Sequence, residues 1–182
     1  LYASGDFDAI DGTPVPHIAS WDGIAWTPLG SGFEIPGDGG WCSAMDFAVF
    51  DFEGSPALYA GGRFALAGGV EVSSLAAWDG TAWHDVAVGV RFQGGSLGQV
   101  HALQVWDDGT GPALYVGGQF AFAGEIETYG IARWDGERWS ALGAGVKGGV
   151  NSMTVWDDGT GEALYCAGYL LVAGDQPADG PL

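Results

Sequence analysis

The chain has 182 residues, among them 34 glycines and nine tryptophans, and its 23 acidic side chains against five basic ones give a formal charge of −18. Arg63, Arg91, Arg133, Arg138 and Lys147 are scattered, whereas nucleic-acid binding needs clustered Lys and Arg; the same deficit disfavours an anionic membrane surface, and no apolar run approaches the roughly 20 residues that span a bilayer. The tryptophans exclude a disordered acidic tail, and Cys42 and Cys166 are too few for a disulfide framework, so the composition reads as that of a soluble globular protein.

In chain order, the first segment, Leu1-Tyr2-Ala3-Ser4-Gly5-Asp6-Phe7, sets a pattern. It returns at Leu58-Tyr59-Ala60-Gly61-Gly62-Arg63-Phe64, at Leu114-Tyr115-Val116-Gly117-Gly118-Gln119-Phe120 and, degraded, at Leu164-Tyr165-Cys166-Ala167-Gly168-Tyr169-Leu170. W-D-G-x-x-W follows in register at Trp21 to Trp26, Trp78 to Trp83 and Trp134 to Trp139. A third marker, V-W-D-D-G-T-G-x-A-L-Y, runs from Val105 to Tyr115 and from Val155 to Tyr165, with a diverged copy at Val49 to Tyr59. Three markers per period of about 50 residues mean several elements per unit, and repetition of this kind decides the fold before any local reading does.

The elements read as strands, because no window carries a helical apolar stripe and glycine punctuates the chain about every ten residues. In the third unit, residues 100–107 and 113–120 form a hairpin closed by Asp107-Asp108-Gly109-Thr110-Gly111. A loop over 121–130 leads to a third strand at 131–134 and a fourth at 139–142, giving a four-stranded meander. Residues five apart face opposite sides of a continuous strand, but across a four-residue hairpin loop they stand opposite each other on one face; each W-D-G-x-x-W is therefore expected to make a cross-strand Trp pair. The L-Y-V-G-G strand is apolar on both faces, as a strand covered on both sides would be. Gly61, Gly62, Gly117 and Gly118 are expected to admit a neighbouring sheet closely.

The order apolar strand, turn, L-Y-V-G-G, loop, I-A-R-W-D-G-x-x-W resembles a kelch-like β-propeller blade, and is most similar to the L-Y-x-G-G-x-F…W-D-G-x-x-W repeats of large secreted bacterial proteins of planctomycete type. The resemblance covers the chain from Leu1 to about residue 174. WD40 repeats match less well, lacking here the upstream Gly-His, and the W-D-G-x-x-W turn is one residue short of a sialidase Asp-box. The resemblance implies an all-β propeller of four-stranded antiparallel blades, about three and a quarter of them, not closed by this chain alone. Residues 1–30 would be strands two to four of one blade, 42–89 and 98–144 full blades, 149–172 the first two strands of another, and 173–182 a tail or next loop. Both ends fall within the repeat, so the expectation is a segment of a longer polypeptide, with copies associating as the alternative.

Candidate chemistry is sparse. Asp107, Asp108, Asp157 and Asp158 are weak candidates for calcium ligation, because they lack the D-x-D-x-D-G spacing of a calcium loop and read better as turn formers bonding the local backbone. No other cofactor is indicated. His17, His84 and His101 occupy unrelated repeat positions and make no zinc motif; the Cys-Tyr-His constellation of a galactose-oxidase-like copper site is not suggested either. Trp21, Trp26, Trp78, Trp83, Trp134 and Trp139 read as structural, and periodicity assigns Trp106 and Trp156 to packing between units. Trp41 has no counterpart in the repeat and is the candidate for a ligand contact. The expectation is a secreted or cell-surface, non-catalytic repeat module for protein or glycan interaction or adhesion, with no nucleic-acid partner and no membrane insertion. Its partners would be further blades in cis or copies in trans. The alternatives are a self-assembling block of an oligomer or extracellular fibre and, further off, a carbohydrate-active enzyme scaffold.

Overall fold

The computed structural model describes residues 1–37 and 42–173, and the backbone of 176–177. Within these residues the chain is all-β, built from antiparallel sheets, with no helix. Four principal sheets follow one another along the chain. The first contains Tyr2–Ser4, Ile18–Trp21 and Trp26–Pro28. The second and third are four-stranded meanders: Ser43–Phe52, Ser55–Arg63, Leu75–Trp78 and Trp83–Asp85, then Gln99–Asp107, Pro112–Gln119, Ile131–Trp134 and Trp139–Ala141. The fourth pairs two long strands, Val146–Asp157 and Glu162–Ala173, with the short Gln176–Pro177. None of these sheets closes on itself.

The sheets pack face to face. Between the first and second lie Ile18, Leu29, Phe33, Leu58, Ala60 and Trp83. Between the second and third lie Phe50, Tyr59, Leu103, Leu114, Val116 and Trp134. The second strand of each meander is therefore buried on both faces, Tyr59 and Tyr115 pointing one way and Leu58 and Leu114 the other, which is why L-Y-x-G-G is apolar throughout.

The expected loop at 121–130 is more ordered than its composition suggests. Phe122–Ala123 and Ile126–Glu127 form a small hairpin, and Phe122–Ala123 also pairs with Val90–Arg91, which leaves the second sheet. One unit earlier, Leu66–Ala67 pairs with both Val70–Glu71 and Phe33–Glu34. Gly68 and Gly69, at φ 58° and 84°, supply the two left-handed residues of the tight turn. Arg91 Nη2 donates to Gly124 O at 3.1 Å across the later junction. These small sheets lace each unit to the one before it, as the face-to-face cores do on the other side of the strands.

Each first strand from the second sheet onward also carries a β-bulge, between Ala44 and Asp46, Val100 and Ala102, and Val150 and Ser152. A bulge leaves one residue unpaired and bends the strand. At the second sheet Asp46 follows the bulge, and its Oδ2 accepts from Leu103 N of the next sheet at 2.7 Å.

Candidate functional site

The Trp residues of each W-D-G-x-x-W stand directly opposite one another: Trp21 with Trp26, Trp78 with Trp83, Trp134 with Trp139. Their ring centroids are 5.4, 5.3 and 5.1 Å apart, within the range of favourable tilted aromatic pairs. Trp83 Nε1 donates to Leu29 O at 3.0 Å and Trp139 Nε1 to Ala87 O at 3.3 Å. Each pair thus clamps its own hairpin and, in the second and third units, bonds the backbone of the preceding one.

The Asp of each W-D-G turn faces inward to its own loop. Asp22 Oδ1 accepts from the amides of Ile24 and Ala25 at 2.8 and 2.9 Å, Asp79 Oδ1 from Thr81 and Ala82 at 2.7 and 2.8 Å, and Asp135 Oδ1 from Glu137 and Arg138 at 2.9 and 2.8 Å. Donation by the Ala25 amide, then Ile24, holds the Asp22 carboxyl below its ordinary value. Asp79 is depressed furthest, first by His84, whose Nε2 lies 2.7 Å from Asp79 Oδ2, and then by the Ala82 amide.

The D-D-G-T-G tips are built the same way twice. Asp107 Oδ1 accepts from the amides of Gly109 and Gly111 at 2.9 and 3.0 Å, and Asp157 Oδ1 from Gly159 and Gly161 at 2.8 and 3.0 Å. Asp108 Oδ1 and Asp158 Oδ1 each accept from the amide and hydroxyl of the following Thr110 or Thr160. The Thr110 hydroxyl is the main cause of the lowered Asp108 carboxyl, and the Thr160 hydroxyl of the lowered Asp158. Asp107, Asp108, Asp157 and Asp158 are thus engaged with backbone, and among the described residues no group of three or more His, Cys, Asp or Glu converges as a metal cage would. His17, His84 and His101 lie apart, bonded to Gly5 O, Asp79 and Asn151 respectively.

The double glycines sit where backbone and side chains from two directions meet. A Cβ on Gly61 would lie 2.3 Å from Val100 Cγ1 of the next sheet, and one on Gly117 2.7 Å from Val150 Cγ1. A Cβ on Gly62 would lie 2.0 Å from Ser43 O, and on Gly118 2.0 Å from Gln99 O, within their own sheets. The first glycine makes room for the next unit, and the second for the bulged partner strand.

Trp41 lies outside the described residues. The surface that the sequence left out is the outer face of the fourth sheet. Trp156 is 59% exposed and Tyr169 71%, with Tyr165 and Leu171 beside them also exposed. Trp156 and Tyr165 make the same ring contact, 5.7 Å between centroids, as Trp106 and Tyr115 at 5.5 Å. Yet Tyr115 is 1% exposed, because the fourth sheet covers it. The packing role expected of Trp106 and Trp156 alike therefore divides: Trp106 is half-buried and Trp156 is bare. Equivalence in sequence does not imply equivalence in burial when one copy lacks a neighbour.

Among the open clefts between units are two of differing character. One, of about 400 Å³, is lined by Asp51, Glu53, Thr110, Arg133, Asp135 and Glu137, four carboxylates around one guanidinium. The other, of about 410 Å³, is lined by Ala87, Val88, Ile126, Arg138 and Trp139 among others. No protein-family model, curated protein or solved structure matches the chain.

Proposed function

We propose that the chain is a run of kelch-like β-propeller blades forming a non-catalytic interaction or adhesion module of a secreted or cell-surface protein. The supporting observation is that repeat-equivalent sheets stack face to face through one recurring set of contacts, the Trp pair, the glycine notch and the small lacing hairpin. The repeated residues are absorbed by that packing. What differs between units, and can therefore carry specificity, lies at the rim, in clefts such as the one lined by Asp51, Glu53, Arg133 and Glu137.

The test is direct binding of the immobilised chain to a glycan array and to extracellular-matrix proteins. Specific binding that weakens when rim residues such as Arg133 and Glu137 are replaced supports the reading; no binding above background on either contradicts it. A second reading, a self-assembling building block, is favoured by the exposed aromatic face at Trp156 and Tyr169. A monodisperse monomer by light scattering at high concentration contradicts that reading.

A further inference from the structure

The outer face of the fourth sheet carries Trp156, Tyr165, Ala167, Tyr169 and Leu171, with the hydroxyls of Ser152 and Thr154 beside them and the Asp158 carboxylate at its rim, on a molecule of charge −18. The same face of the preceding sheets is covered, always in the same manner. The first strand of the next sheet lies across it and seats one side chain against the position of the first glycine in L-Y-x-G-G. The two positions vary together. Where the notch is Gly61 or Gly117, the seated residue is Val100 or Val150. Where the notch is Ser4, the seated residue shrinks to Ala44, whose amide donates to Ser4 Oγ at 2.9 Å. At the fourth sheet the notch position is Ala167, which carries the methyl that Gly61 and Gly117 lack.

Resting on the repeat-module reading, we infer that this face is a docking surface for a further repeat unit of the same pattern, one whose first strand carries alanine, serine or glycine where Val100 and Val150 stand. Its continuity with the interior interfaces identifies the occupant's face, and Ala167 sets the occupant's side-chain size.

The experiment lengthens the chain by joining residues 121–182 after Leu170, in place of the original 171–182, which completes the fourth unit with a third and fourth strand and adds the first two strands of one more. In the appended copy Trp156→Phe leaves only the original indole to report, and Val150 is either kept or changed to Ala, Ser or Gly. Hydroxyl-radical oxidation read by mass spectrometry is expected to fall several-fold at Trp156 in a small-residue version relative to the unextended chain. That version is expected to melt several degrees above the valine version, and Ala167→Gly is expected to rescue the latter. Unchanged oxidation of Trp156 in all of the small-residue versions overturns the inference, as does a valine version that melts as high without rescue. Concentration-dependent protection of Trp156 in the unextended chain, with dimers in light scattering, overturns it in favour of a second copy. Loss of ligand binding in the array experiment leaves these outcomes unaffected, so the two readings fail separately.

Discussion

Gly117 and Val150 are complementary across two sheets: the Cβ that Gly117 lacks would stand 2.7 Å from Val150 Cγ1 and 3.2 Å from Met153 Cε. The backbone of Gly117 is not in the left-handed region, so an alanine there meets only a lack of space. Gly117→Ala is expected to destabilise by about 1–3 kcal/mol, the usual cost of overpacking a filled interface. Chemical denaturation measures it, and a change within about 0.5 kcal/mol, as at an ordinary surface site, contradicts the close packing.

The Trp pairs grade in importance along the chain. Trp139 is buried and bonds Ala87 O, whereas Trp26 is only half-buried. Trp139→Ala is expected to cost about 3–5 kcal/mol, and Trp26→Ala distinctly less. Equal losses in urea titrations would mean that the indoles act only within their own hairpins.

Val88 is a site of strain. It sits at φ 72° and is 48% exposed, and the repeat places Ser31 and Ala144 at its position. A left-handed conformation costs an L-residue about 1–2 kcal/mol, and a β-branched residue tolerates it poorly. Val88→Gly is expected to raise stability by about 1 kcal/mol, with a higher melting temperature; a lower one would show that Val88 contributes apolar contacts worth more than its strain.

The acidic turns set the response to low pH. The Asp79 carboxyl lies well below its ordinary 3.8, with His84 the largest cause. A carboxylate depressed on folding stabilises the fold above its unfolded value, and that contribution is lost as pH falls through the folded one. Stability is therefore expected to decline below about pH 4. His84→Ala is expected to move the Asp79 titration upward toward that of Asp22, which has Thr27 in place of the imidazole. An Asp79 titration unmoved in a carboxyl-observed NMR experiment would remove His84 as the cause.

Asp107 and Asp157 hold their turns through backbone amides, so chelation by EDTA is expected to leave the melting temperature unchanged. A drop on chelation, reversed by calcium, would instead place an ion at the tips.

Much of this architecture was legible because it is local and repeated. The W-D-G-x-x-W spacing places the indoles opposite each other, and the D-D-G-T-G tips close the hairpins that their turn chemistry suggests. The lacing hairpins were less legible. Gly68-Gly69 between Ala67 and Val70 is a local turn signal, but the pairing of Leu66–Ala67 with Phe33–Glu34 joins strands from successive units, and periodicity does not reveal it. Nor does sequence show that Trp156 is bare, since the exposure of a repeated residue depends on a neighbour and not on the residue itself.

The central claim is that successive sheets are matched through a notch and the side chain seated in it, and a double-mutant cycle on Gly61 and Val100 tests it most directly. Gly61→Ala alone should destabilise, because its methyl would meet Val100 Cγ1 at 2.3 Å, and Val100→Ala alone should leave a gap. Together they recreate the small-on-small fit of Ser4 and Ala44, so the double variant is expected to be more stable than the sum of the singles by about 1 kcal/mol or more, within the range of contacting pairs. Additivity within about 0.5 kcal/mol would contradict the matching.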